Sequence, residues 1–208
     1  GEKTKNYLNV VTGENASAIN GAIKGGKDVY LVNPHGVLIG QGANIDVGNL
    51  YVSTQDAQSA VTAFTNDNTG AGVLSEKANA EVVNMGTIKA DKVEVHGTDI
   101  KFLDLSDVAT ADMTDANKLT FNATGEINLG KSQDTSKTNA AYTANQPATI
   151  YNVIENQTQL KNIPDNATDN YWLKNDIDTS GIFTPIKGFA GVFDGNFFNI
   201  NRLTVSNS

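Results

Sequence analysis

Few side chains in this sequence have the type and spacing that chemistry needs. Asp176 and Asp178 stand two apart in an Asn-Asp-Ile-Asp run, and Asp194 follows in a Phe-Asp-Gly-Asn turn. Hard carboxylate oxygens of this kind bind calcium. Residues two apart on a strand share one side, however, with Ile177 on the other, so solvated acids on an outer face explain the pattern equally well. No metal or other cofactor is expected; Asp176 and Asp178 are where one would sit. The two histidines, His35 and His96, lie among turn residues and lack the His-x-x-x-His or Glu-x-x-His spacing of a zinc or base site. No serine has a Gly-x-Ser-x-Gly context. A polysaccharide lyase wants a cationic base beside clustered acids, and Arg202 is the sole arginine. A glycosidase wants two carboxylates about 5 or about 6.5–9.5 Å apart, which sequence alone neither supplies nor forbids. Tyr171 and Trp172 face opposite sides of a strand, so one ring is core; the other, with Tyr151, is a candidate for sugar contact. No catalytic residue is assigned.

The elements that must position these groups follow from composition. The 208 residues carry 23 acids against 15 bases, a net charge of -8, with no basic stripe to neutralise phosphates; nucleic acid is not an expected partner. Zero cysteines exclude disulfides, thiolate metal sites and thiol nucleophiles. No apolar run is long enough to span a bilayer as a helix. Gly1 in place of an initiator Met, without a signal-peptide pattern, reads as a piece of a longer polypeptide. Asn (26) and Thr (21) together outnumber the charged side chains. Both are poor helix formers, because their side chains compete for nearby backbone groups. Asn tolerates left-handed turns and Thr fits a pleated strand, so the chain reads as mainly β.

Period-two apolar pairs recur along the chain, among them Val29 with Leu31, Val37 with Ile39, Leu50 with Val52, Val93 with Val95, Leu119 with Phe121, and Ile127 with Leu129. Each marks a strand of three to five residues, and Gly-Gly, Asn-Pro and Gly-Asn punctuation lies between them. Residues 18–31 (AINGAIKGGKDVYL) and 84–95 (NMGTIKADKVEV) repeat one strand–turn–strand theme. A unit of roughly 20–25 residues is the mark of a β-solenoid; a sandwich or barrel would also show short alternating strands. About nine coils in a rod near 40 Å long are expected. Two stretches look like excursions. Residues 55–81 allow about two helical turns and then a Gly- and Asn-rich loop, and 131–146 is a polar linker. The expected organisation is therefore 1–130, a 131–146 linker, and 147–208, with a short helix within 154–163 ended by Pro164.

The most specific passage, residues 28–54 (DVYLVNPHGVLIGQGANIDVGNLYVST), resembles the haemagglutination-activity domain of filamentous haemagglutinin-like adhesins, the large exoproteins of Gram-negative two-partner secretion. Its signature turn is Asn33-Pro34-His35-Gly36, with His in place of the usual Asn. Residues 7–23 match the stretch before that turn, so the likeness covers roughly 6–130, with the N-terminal cap truncated. Residues 171–205 resemble the segments around GLUG-type repeats of surface adhesins, through Asp176, Asp178, Pro185, Phe193, Asp194, Gly195, Asn196, Ile200 and Leu203. Phe193-Asp194-Gly195-Asn196 is the motif turn. Both resemblances imply an all-β, right-handed, single-stranded parallel β-helix with short extra-helical hairpins or loops. They also imply export through an outer-membrane two-partner secretion transporter, with Asn33 to Gly36 as the secretion turn. The mature protein is then a secreted or cell-surface adhesin, expected to be monomeric and to bind a host-surface or glycan receptor. The rival is a β-helical carbohydrate-active enzyme, a polysaccharide lyase or hydrolase.

Overall fold

A computed structural model describes residues 1–66, 72–76 and 79–206. Every strand pairing in it is parallel, and each strand lies against its counterpart one coil away. One sheet stacks Tyr7–Val10, Asp28–Val32, Asn49–Ser53, Lys92–Gly97, Leu119–Ala123 and Thr143–Ala144. The second stacks Ser17–Ile19, Val37–Ile39, Glu81–Asn84, Asp99–Phe102, Ile127–Ser132, Thr149–Ile154, Asn170–Leu173 and Phe193–Asp194. The third stacks Ala22–Lys24, Asn44–Asp46, Thr87–Lys89 and Val108–Ala109. A chain that visits the sheets in turn and then pairs one level up is a parallel β-helix. The second sheet's eight strands count eight coils among the described residues, one fewer than expected. Residues 55–80, between Asn49–Ser53 and Glu81–Asn84 of one coil, account for the difference.

The period-two pattern works because every inward side chain stands on its counterpart below. Val29, Leu50, Val93 and Leu119 form one aliphatic stack, and Leu31, Val52, Val95 and Phe121 the next. Ile23, Ile45, Ile88 and Val108 fill the third sheet's side. Burial of each such side chain contributes about 1.5–3 kcal/mol. Asn84 breaks one stack while 1 % exposed, and its amide closes on Gly86, whose N–H donates to Oδ1 at 3.3 Å while Nδ2 donates to the Gly86 carbonyl at 3.2 Å. A polar side chain inside the coil is thus satisfied by the corner that it forms.

The stack is not a straight rod. Gln41, at a corner of the second coil, donates from Nε2 to the Lys174 carbonyl of the seventh at 3.4 Å. Five levels of a straight stack would separate those corners by about 24 Å, far beyond a glutamine's reach. The bend is at Ile127–Ser132. Ile127 to Leu129 pair with Ile100 to Phe102 on one side, and Asn128 to Ser132 pair with Thr149 to Val153 on the other. At Gly130 a Cβ would lie 1.9 Å from the Leu103 carbonyl oxygen and 2.7 Å from the Trp172 indole nitrogen, so only glycine fits. Two cores result, one built on Val29 through Ala140 and one on Ile154 through Phe183. Leu103, Val153 and Trp172 fill the crook between them.

Of the excursions, residues 57–66 form α1 (Ala57–Asn66), with Asp56 Oδ1 accepting the Ser59 N–H at 2.9 Å. Most of the expected Gly- and Asn-rich loop lies outside the described residues. The second helix, α2, is Gln157–Lys161, shorter than expected because Ile154 belongs to a strand and Asn156 caps the helix through the Gln159 N–H. Within 131–146, Lys131 and Ser132 complete a strand, Ala140 is buried and Thr143–Ala144 pairs with Thr120 and Phe121. The polar composition there reflects a corner stabilised by side chains, such as Asn139 Oδ1 accepting the Ser132 N–H at 2.9 Å.

Candidate functional site

Asn33 to Gly36 is a tight turn joining the first and second sheets in the second coil. The Gly36 N–H donates to the Asn33 carbonyl at 3.0 Å, closing a β-turn with Pro34 and His35 at its centre. Asn33 is fully buried. Its Oδ1 accepts the His35 N–H at 2.8 Å, and its Nδ2 donates to the Asn15 carbonyl at 3.0 Å and the Ser17 hydroxyl at 2.9 Å. The Asn33 N–H donates to the Ser53 carbonyl at 3.1 Å, and the Ser17 N–H to the Gly36 carbonyl at 3.0 Å. One side chain therefore fixes its own turn and binds the coil before it, while its backbone binds the coil after. Pro34 and Gly36 are buried too; His35 alone is exposed. Of His35, the backbone N–H serves the turn. Gly36 has φ 107, and a Cβ there would lie 2.8 Å from the Glu81 carbonyl oxygen.

The second motif turn lies in the crook. Asp194 Oδ1 accepts the Asn196 N–H at 2.8 Å, and the Phe198 N–H donates to the Gly195 carbonyl at 2.7 Å. Asn196 (φ 48) and Phe197 (φ 65) are both left-handed, the arrangement of a type I′ turn, in which Phe is a costly choice. Asn196 Nδ2 donates to the Leu173 carbonyl at 2.8 Å. Lys101, four coils earlier, donates to Asn196 Oδ1, stands 3.5 Å from Asp194 Oδ2 and lies 5.0 Å over the Trp172 ring. The Trp172 indole N–H donates to the Leu103 carbonyl at 2.9 Å, and the ring stacks on Tyr151 at 4.2 Å. Trp172 is therefore covered by the earlier coils, and no open aromatic platform pairs it with Tyr151. Phe197 is fully exposed beside a cleft of 480 Å³ floored by Leu38, Val83, Met85 and Leu103.

Beside the crook, Lys174 Nζ is 2.7 Å from Asp104, 2.8 Å from Asp107 and 3.2 Å from Glu155. Burial pushes the Lys174 ammonium down, but the hydrogen bonds and charges of Asp104 and Asp107 outweigh it and hold the group above its ordinary value. Asp104 has no exposed side-chain surface and spends its other oxygen on the Ser106 N–H at 2.8 Å. Lys101 and Lys174 carried no local signal. Gly130 did: a glycine inside a strand pattern marks a close approach.

Asp176 and Asp178 are exposed and serve the next coil. Asp176 Oδ1 accepts the Asn199 N–H at 2.7 Å, and Asp178 Oδ1 accepts from Asn201 Nδ2 at 3.2 Å, with Arg202 at 3.5 Å. The two histidines are not brought together. His35 is exposed at its turn, and His96 lies between Glu76 and Glu94 on the outer face of the first sheet. Among the described residues no three His, Asp or Glu side chains converge as metal ligands, and no helix is long and apolar enough to cross a membrane.

Comparison with known proteins places this geometry. Over 50 residues, 24% of the chain, it is 50% identical to a heme/hemopexin-binding protein of Haemophilus influenzae strain Rd, and 48% identical to a second protein of that name from the same species. The chain covers only 6% and 5% of those relatives. No solved structure matches it significantly. The family model described as the TPS secretion domain matches residues 1–180, which include the Asn33 to Gly36 turn and the bend. The chain belongs to the TPS secretion domain family, the two-partner secretion domains through which Gram-negative bacteria export proteins by way of a cognate outer-membrane transporter.

Proposed function

We propose that this chain is the export and folding-start domain of a large cell-surface adhesin that attaches the bacterium to host cells or other surfaces. The transporter takes the segment around Asn33 to Gly36 unfolded; outside the cell, the closed turn then sets the register for later coils. The observation that carries this reading is the burial of Asn33 with its side chain bonded to the preceding coil. A partner that reads Asn33 or Pro34 must meet them before the coils close. Each coil finds its hydrogen-bonding partners on its neighbour, so growth from a first closed coil needs no distant contact until the bend. The protein is proposed to act as a monomer, without cofactor or catalysis. Arg202, the one guanidinium, lies exposed on Asp178 rather than in a cleft of acids. Attachment is assigned to surface loops and to the cleft beside Phe197, with a host-surface molecule or glycan as receptor. The relatives named for heme and hemopexin binding support the engagement of host molecules.

The test is secretion of an Asn33→Ala variant from cells making the cognate transporter, beside refolding of the purified variant. Loss of three side-chain hydrogen bonds at a buried site should cost about 1–3 kcal/mol, and secretion should fall at least tenfold. His35→Asn should secrete as the parent does. Secretion of Asn33→Ala at the parent level would remove the turn from the export step.

A further inference from the structure

The outer face of the first sheet is covered by the excursion. Tyr30 and Val32 are buried beneath Ala60 of α1 and Val73 of its return leg, with Tyr51, Phe64 and Leu74 packed around them. Tyr30 stacks on Tyr51 at 4.6 Å and meets the edge of Phe64 at 5.7 Å. The return leg, residues 72–76, is held at two adjacent points, since Ser53 and His96 are register partners on neighbouring coils. The Ser53 hydroxyl lies 2.9 Å from the carbonyls of Val73 and Ser75 and accepts the Ser75 N–H at 3.0 Å. His96 Nδ1 is 2.6 Å from Glu76 Oε1 on the return leg, and Nε2 is 2.9 Å from Glu94 Oε1 on its own strand.

A neutral imidazole has one N–H; two carboxylates facing two ring nitrogens are both satisfied only by the doubly protonated ring. We infer that α1 and residues 72–76 form a strap over the Tyr30–Tyr51 face, clasped by a protonated His96 between Glu76 and Glu94, so that loss of that proton loosens the strap. The remaining groups around the ring take up the contacts that deprotonation frees. Lys92 Nζ holds Glu94 Oε2 at 3.0 Å, and Asn122 Nδ2, on the next coil, stands 3.3 Å from His96 Nε2. A deprotonated Nε2 accepts from Asn122, Glu94 stays with Lys92, and Glu76 keeps one uncharged hydrogen bond. Tyr51, on the preceding coil, does not compete, because burial and then Asp28 and Glu94 push its phenol up.

The charge states agree with the geometry. Burial pushes His96 down, but the hydrogen bonds and charges of Glu94 and Glu76 outweigh it and raise the ring above its ordinary value. The His96 hydrogen bond lowers Glu94 to about 2, against the opposing effect of burial. A raised histidine stabilises fully below about 6.5 and loses that contribution as pH rises through its folded value. A lowered glutamate stabilises above its ordinary value and loses that contribution as pH falls through about 2. The clasp is thus closed from acid to neutral pH and opens on the alkaline side.

The test uses the whole chain, with an NMR titration of the imidazole C–H signals (His96 assigned by its loss in His96→Gln) and chymotryptic cleavage after Phe64. Cleavage rates are divided by those of the unfolded chain to remove the protease's own pH dependence. The parent should titrate above about pH 6.5, with a midpoint at least half a unit lower in Glu76→Gln, and cleavage should rise several-fold across it. Glu76→Gln keeps shape and removes only charge, so it reads the clasp even if His96→Gln folds poorly. An unchanged midpoint in Glu76→Gln, or cleavage flat across the parent's midpoint, would overturn the clasp.

Discussion

Lys174 and Asn33 illustrate two ways in which one side chain holds a solenoid. Asn33 acts between adjacent levels, where neighbouring corners already lie about 4.8 Å apart. Lys174 acts across the bend, joining Asp104 and Asp107 of the fourth coil to Glu155 of the sixth. Removing its ammonium leaves Asp104 buried without its cation. Lys174→Met should therefore destabilise the chain by about 3–5 kcal/mol in urea unfolding, and Lys174→Met with Asp104→Leu should recover most of that loss. Asn33 was legible because an Asn-Pro turn between alternating strands is a local pattern. Lys174 was not, because its partner Asp104 is 70 residues away and nothing near either residue announces the other.

At the scale of elements, the short strands were legible for a physical reason. Where no other element covers the outer face, only the inward side of a strand is dry, so Val93 with Val95 declares its inward face by period alone. Three other features depended on contacts that period does not encode. α2 was shortened because Ile154 was claimed by pairing with Leu173. The polar 131–146 stretch satisfies its own backbone at a corner, so its composition resembled a linker's. Trp172 alternates outward yet is buried, because the bend brings Leu103 over it. Gly130 makes that bend possible. Gly130→Val should force the Leu103 backbone and Trp172 apart, costing about 1–3 kcal/mol and raising the radius of gyration in small-angle scattering. An unchanged radius and an unchanged Trp172 fluorescence spectrum would show that the bend is held elsewhere.

For the whole molecule, the parallel β-helix followed from repeat and resemblance together, whereas its course did not, since bending depends on which outer faces meet. The same geometry bears on export. If the transporter reads the Asn33 to Gly36 turn as proposed, burial of that turn between coils leaves it open only in an extended chain, whose coils then close in order outside. The absence of cysteine from the sequence allows a direct test of this. Ala18 and Leu38 are register partners on the outer face of neighbouring coils. Cysteines at both positions can form a single disulfide that staples the first coil to the second across the Asn33 to Gly36 turn. The decisive measurement is the amount of this Ala18→Cys, Leu38→Cys protein secreted by transporter-bearing cells under oxidising and reducing conditions. Export of an extended chain predicts arrest at the periplasmic side when the staple is closed and release when it is reduced. Equal secretion in both states, with the disulfide verified intact in the exported protein, would contradict passage as an unfolded chain.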